Sequence, residues 1–96
     1  MTDYVYAMYS YLLDIDLSFR GNDMDTLKIV RDTKQAIDNF MKNPTKDTLL
    51  EIDKHVKRFY DNNGNIYPKY KKVQPYINNL DEMIFRTKQK MNFQIV

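Results

Sequence analysis

The chain has no cysteine and no tryptophan, and its 96 residues include only two glycines, three prolines and one histidine. Without cysteine the protein has no disulfide framework and no thiolate metal site, which is typical of a cytoplasmic protein. The two glycines, Gly21 and Gly64, are too few to build a P-loop or a dinucleotide-binding fingerprint. The composition therefore excludes the common glycine-rich nucleotide sites and the disulfide-stabilised folds.

Groups suited to catalysis are equally scarce. The only serines, Ser10 and Ser18, lie far in sequence from the single histidine, His55, so no nucleophile–base pair is indicated. Glu51 and His55 are four residues apart, and this spacing predicts an ion pair at the surface of a helix. The turn around Gly64 lacks the acidic residues that a calcium-binding loop needs at its first and last positions. We therefore expect no enzymatic activity, no metal and no cofactor.

Long apolar runs are also missing. The longest stretch without a charged residue near the start of the chain, 4–13, is too short to cross a bilayer. It follows Asp3 rather than the basic segment that is typical of a signal peptide. The expected location is the cytoplasm, with no membrane partner.

Helical spacing of apolar residues dominates the rest of the sequence. Apolar side chains recur every three or four residues in four segments, about 3–20, 23–42, 46–61 and 75–92. Asn22 and Thr45 are suited to cap the second and third helices. Residues 62–74 contain turn-forming residues and Pro68, and Pro75 follows directly, so this range is predicted to be an irregular connector. The sequence predicts a single all-α domain over residues 1–96, a small bundle of three to four amphipathic helices.

Several apolar residues lie away from the stripes that are predicted to form the core. The first helix is apolar on two sides, and such a helix is either buried between neighbours or presents one side to a partner. Apolar residues that gather into an exposed patch mark an interface. The candidate protein-contact residues are Tyr6, Leu13, Leu17, Leu50 and Phe85.

Charge is distributed unevenly along the chain. Residues 1–27 contain five acids and one base, whereas the remaining residues contain fourteen bases and eight acids. This asymmetry is able to steer a charged partner or to favour head-to-tail contact between copies of the chain. Asp16 lies at the edge of the core stripe, and we expect it to pair with a lysine of a neighbouring helix, because buried charges are normally paired.

The segment 66–76 combines lysines with tyrosines, and further bases follow on the last helix. Cations that contact phosphates and rings that stack on bases are the two features used by proteins that bind single-stranded nucleic acid. The candidate residues for binding nucleic acid or another anion are Tyr67, Lys69, Tyr70, Lys71, Lys72, Arg86, Lys88 and Lys90.

Two functions remain open. The first is a small non-enzymatic module that binds another protein, or itself as a homo-oligomer. Its abundant Asn, Lys, Ile and Tyr are typical of AT-rich coding sequences, and an inhibitor or immunity-type protein of a phage or plasmid is one form of this hypothesis. The alternative is a nucleic-acid-binding regulator that uses the basic aromatic segment 66–76.

Overall fold

The computed structural model describes the backbone of residues 2–95 and the side chains of residues 2–91. Over this range the chain forms four α-helices: α1 (Thr2–Ser18), α2 (Met24–Lys42), α3 (Lys46–Val56) and α4 (Gln74–Ile95). Two short 3₁₀ helices, Lys57–Phe59 and Pro68–Val73, lie between α3 and α4. The predicted all-α fold is confirmed. Each of the four predicted helices is present, and their ends differ from the predicted ones by up to five residues.

The four helices run alternately up and down. α1 packs most extensively against α4, and α2 packs most extensively against α3. The contacts that fix the antiparallel directions join Tyr9 to Asp38, Asp32 to Arg58, Lys57 to Asp81 and Tyr4 to Lys90. Because α1 also contacts α2, and α3 also contacts α4, the helices form a ring in chain order. One face of the bundle therefore presents α1 and α2 side by side, and the opposite face presents α3 and α4.

The core forms where the apolar stripes of the four helices meet. Its fully buried side chains include Met8, Ile15, Ile37, Phe40, Ile52, Val56, Ile77 and Leu80. Burial of each such side chain stabilises the fold by about 1.5–3 kcal/mol relative to exposure. Within the described residues, none of the helices combines the length and apolar character that crossing a membrane requires.

The helix ends are fixed by local side chains. Asp23, rather than Asn22, caps α2, and its Oδ2 accepts a hydrogen bond from the backbone N of Thr26 at 3.0 Å. Thr45 caps α3 as predicted, in a reciprocal capping box with Thr48. Between α1 and α2 the chain reverses through two successive residues with left-handed backbone, Arg20 (φ 57°) and Gly21 (φ 64°). A residue that tolerates positive φ is needed there, and glycine supplies it without steric cost.

The segment predicted to be irregular has more order than its composition indicates. Tyr60 and Ile66 form an isolated antiparallel bridge around a turn. In that turn the Asp61 side chain accepts hydrogen bonds from the backbone N of Asn63 and of Asn65, at 2.8 and 3.0 Å. The 3₁₀ helix Pro68–Val73 then leads directly into α4. The segment is ordered because its apolar side chains dock into the core: Ile66, Tyr70 and Val73 are all buried.

Candidate functional site

An apolar stripe runs along the outer side of α1. Its members are Tyr6, Leu13 and Leu17, which are 57%, 56% and 62% exposed. They are spaced by seven and four residues, so they lie on one side of the helix over roughly 16 Å. We call these three residues the α1 stripe. These three side chains are not part of the buried core, and they face solvent.

The α1 stripe borders a groove between α1 and α2 of about 300 Å³. Leu13, Asp16, Val30 and Lys34 line it. The Oδ1 atom of Asp16 is buried and accepts no hydrogen bond from the described residues. The predicted ion pair between Asp16 and a lysine of a neighbouring helix is therefore wrong for the described part of the chain. Lys34 lines the same groove but is exposed, because an ammonium group that leaves water loses hydration that a single ion pair barely offsets.

A second groove lies on the opposite face, between α3 and α4. Leu50 and Phe85, which are 50% and 55% exposed, both line this α3–α4 groove of about 260 Å³. Lys88 lies at its edge and is exposed, and Lys57 spans it by contacting Asp53 and Asp81, each at 3.2 Å. The structure thus brings two of the candidate contact residues together and separates them from the α1 stripe by the thickness of the bundle.

The expected role of Tyr70 as a stacking surface does not fit the structure. Its ring is only 4% exposed and packs edge-on against Phe19 and Phe59, at centroid distances of 5.6 and 4.9 Å. The Tyr70 hydroxyl is hydrogen-bonded to Oγ1 of Thr26 at 3.2 Å. Because an aromatic ring gains more by burial than by exposure, Tyr70 anchors the 3₁₀ helix Pro68–Val73 to the core and is not accessible to a base.

Two of the neighbouring lysines make contacts within the fold. Lys69 Nζ lies 2.7 Å from Asp23 and 3.8 Å from Asp25. The hydrogen bond to Asp23 raises the pKa of Lys69 and, together with the Thr26 hydroxyl, lowers the pKa of Asp23 to about 2. Lys72 Nζ donates to the Ser18 carbonyl at 3.2 Å and lies 4.1 Å above the ring of Phe19. Both lysines thereby connect the segment 66–76 to the ends of α1 and α2.

The remaining cationic candidates are dispersed. Lys90 lies 5.7 Å from the ring of Tyr4 at the start of α1, whereas Lys72 contacts the end of α1, about 20 Å away along the helix. Arg86 pairs with Glu82 at 2.8 Å. Lys71 and Tyr67 are exposed. The eight candidate residues for nucleic acid therefore do not form one continuous surface.

The predicted pair of Glu51 and His55 is present, with its atoms 3.9 Å apart. It belongs to a larger network, since Arg58 lies 3.2 Å from Nδ1 of His55 and 2.8 Å from Asp32 of α2. The contacts of Arg58 connect α2 to the end of α3 through surface ion pairs. In the part of the chain that the structure describes, no three side chains of the metal-binding types come together.

Two tyrosine–carboxylate contacts were not predicted from the sequence. Tyr9 donates to Asp38 across α1 and α2, and Tyr60 donates to Asp81 of α4. Burial, followed by the hydrogen bond to the carboxylate, raises the pKa of both tyrosines. The partners are 29 and 21 residues apart, so no local spacing indicates them. Each contact lies beside one of the two grooves and holds its helices in place.

Comparisons with known proteins give no relative from which a function can be transferred. No protein-family model matches the chain, and no curated protein and no solved structure matches it at a significant level.

Proposed function

We propose that the protein is a small non-enzymatic interaction module that binds another protein, or a second copy of itself, through its exposed apolar side chains. The observation that carries this proposal is that Tyr6, Leu13, Leu17, Leu50 and Phe85 are each at least half exposed. They lie in two groups beside grooves rather than scattered singly. Grouped apolar side chains with a polar surround are typical of protein–protein contact sites.

An inhibitor or immunity-type protein is the form of this function that the chain suits best. Such a protein acts by occupying the surface of its target and needs no catalytic group. A helical bundle with exposed apolar residues meets this need, because its backbone is already ordered and binding has to order only side chains. A phage or plasmid origin and a cytoplasmic location belong to the same proposal.

A nucleic-acid-binding role has less support. The ring of Tyr70 is buried in the core and cannot stack on a base, and Lys69 and Lys72 make contacts within the fold. Lys71 and Tyr67 remain exposed, but affinity for single-stranded nucleic acid depends on several cations and rings along one path. Protein binding is therefore the better-supported of the two hypotheses.

Affinity capture with matched variants tests the proposal. The tagged protein is incubated with a lysate of the cells that encode it, with and without nuclease, as wild type and as Leu13→Glu, Phe85→Glu and Asn62→Glu. Asn62 is exposed in the turn between Tyr60 and Ile66, lines neither groove and serves as the control for an added carboxylate. We expect a protein, a second untagged copy of this chain included, to be retained by the wild type and Asn62→Glu and lost with Leu13→Glu or Phe85→Glu.

Two results would contradict this function. Equal retention by all four proteins would show that the apolar faces do not mediate binding. Loss of every bound protein on nuclease treatment would favour the nucleic-acid hypothesis instead.

A further inference from the structure

The chain contains a single asparagine followed by glycine, Asn63–Gly64, in the turn between Tyr60 and Ile66. Both residues are exposed, and Gly64 has a positive φ of 82°. A backbone nitrogen reaches the side-chain amide of the preceding asparagine most easily when its own residue has no Cβ, and only glycine lacks one. Every other asparagine of the chain precedes a residue with a Cβ. The sequence therefore favours reaction at Asn63, and the turn leaves this residue accessible.

The contacts that order this turn come from Asp61 and the backbone. The Asp61 carboxylate accepts hydrogen bonds from the backbone N of Asn63 and of Asn65, at 2.8 and 3.0 Å. The backbone N of Gly64 donates to the Asp61 carbonyl at 3.1 Å. This last bond holds the nitrogen that has to attack, so the reaction requires the turn to open. Exposed turns open locally at a lower cost than global unfolding.

We propose that Asn63 is a site of spontaneous covalent modification, at which its side-chain amide becomes a carboxylate. The Gly64 nitrogen gives up its proton to hydroxide or water, attacks Cγ of Asn63 and forms a cyclic imide. The bond between Cγ and Nδ2 breaks, and the departing nitrogen takes a proton from solvent and leaves as ammonia. Water then opens the ring at either of its carbonyl groups, which gives an aspartate or an isoaspartate at position 63. The overall reaction consumes water and releases ammonia.

Both products disturb the turn. The new carboxylate lies close to that of Asp61, which is hydrogen-bonded to the backbone N of the same residue, and the two like charges repel. Isoaspartate also routes the main chain through the side-chain carbon, which adds an extra backbone atom between Asp61 and Asn65. The hydrogen bond between these residues and the bridge from Tyr60 to Ile66 then lose their register. Because Ile66 is only 8% exposed, a looser bridge exposes apolar surface and lowers stability.

Peptide mapping by mass spectrometry tests the site. The purified wild type is incubated at neutral and at mildly alkaline pH, and the deamidated fraction of each asparagine is followed over time. Asn62 and Asn65 lie in the same turn and are internal controls. We expect Asn63 to react at least about tenfold faster than either, because Gly64 has no Cβ to hinder the attack. The rate should rise with pH, since the attacking nitrogen must lose its proton.

A matched pair of variants shows whether the fold controls the rate. Asp61→Ala removes the acceptor of two hydrogen bonds of the turn, and we expect Asn63 to react faster in this variant than in the wild type. Asp47→Ala makes the same change at an exposed position in α3 and should leave the rate unchanged. Circular dichroism shows whether each variant is folded.

The effect on stability is measured on the modified protein itself. Ion exchange separates it from the unmodified protein, because it has gained a negative charge. We expect its Tm to be lower than that of the unmodified protein. Asn63→Asp has the same charge with an ordinary main chain, so its Tm should lie between the two when isoaspartate is the main product.

Other outcomes would overturn the inference. If Asn63 reacts no faster than Asn62 and Asn65 in the folded protein, the turn protects it and it is not a modification site. Equal rates in Asp61→Ala and the wild type would mean that the hydrogen bonds of the turn do not control the reaction. A modified protein with an unchanged Tm would remove the link between this turn and the core. The proposed function concerns other residues and stands or falls on the capture experiment alone.

Discussion

Adjacent residues in this chain differ sharply in burial although their chemistry is similar. Leu49 is 3% exposed and Leu50 is 50% exposed. The same contrast holds between Ile84 and Phe85. Because successive residues of a helix point about 100° apart, one of each pair enters the core and the other faces solvent. Apolar character alone therefore does not identify a core residue. In a mutational test, the buried member of each pair serves as the control for its exposed neighbour.

Truncation of the two leucines should show which of them supports the fold. We expect Leu49→Ala to lower the free energy of unfolding by about 2–5 kcal/mol, because it removes buried methyl groups and leaves a cavity. Leu50→Ala should change it by less than about 0.5 kcal/mol, the usual range for a surface substitution. Urea unfolding followed by circular dichroism measures both. A large loss for Leu50→Ala would place this side chain in the core and remove it from the candidate surface.

At the scale of elements, the four helices were predictable from the sequence because their apolar spacing is regular. The segment 62–74 was not, since its order comes from the docking of Ile66, Tyr70 and Val73 into a core built by distant helices. The burial of Tyr70 could not be predicted for the same reason. Its position among lysines fits an exposed ring as well as a buried one. The cap of α2 is Asp23 rather than the predicted Asn22. Both neighbouring residues have side chains suited to capping, and the sequence does not show that Asp23 also contacts the distant Lys69.

Only one of the two candidate surfaces could be predicted from the sequence. A helical wheel placed Tyr6, Leu13 and Leu17 on one side of the first helix, and the structure has them exposed together. That Leu50 and Phe85 share one groove depends on how α3 and α4 pack, which no local pattern contains. The dispersal of the basic residues is likewise a consequence of packing, since Lys72 and Lys90 contact opposite ends of α1.

The start of α2 should give the protein part of its sensitivity to acid. The pKa of Asp23 is lowered to about 2 by its hydrogen bonds with Lys69 and Thr26, whereas an unfolded aspartate has a value near 3.9. The ionised carboxylate therefore stabilises the fold above about pH 4, and this contribution is lost as the pH falls towards 2. Asp23→Asn retains a residue that can cap the helix but removes the charge.

We expect the dependence of stability on pH between about 4 and 2 to be smaller in Asp23→Asn than in the wild type. Urea unfolding midpoints at a series of acidic pH values measure it. Asp25→Asn removes a carboxylate from the same turn and controls for the change in net charge. An Asp23→Asn variant with an unchanged pH profile would show that the contact with Lys69 does not persist in solution.

At the scale of the whole molecule, the fold places the exposed apolar residues on two opposite sides. The helices form a ring in chain order, so the groove between α1 and α2 lies opposite the groove between α3 and α4. Each groove is lined by equal numbers of acids and bases, which are Asp16 with Lys34 in one, and Asp53 and Asp81 with Lys57 and Lys88 in the other. Charge is therefore balanced around both groups of exposed apolar residues.

Binding through the exposed apolar side chains should depend little on salt. Screening shortens the range of exposed charge interactions to about 10 Å at 0.1 M ionic strength and to about 3 Å at 1 M, but it does not weaken apolar contacts. Binding to nucleic acid, in contrast, weakens steeply as salt competes for the phosphates. We expect a protein captured by the wild type to stay bound when the wash is raised from about 0.1 M to about 1 M salt. Release of that protein over this range would mean that exposed charges, and not the apolar residues, govern binding.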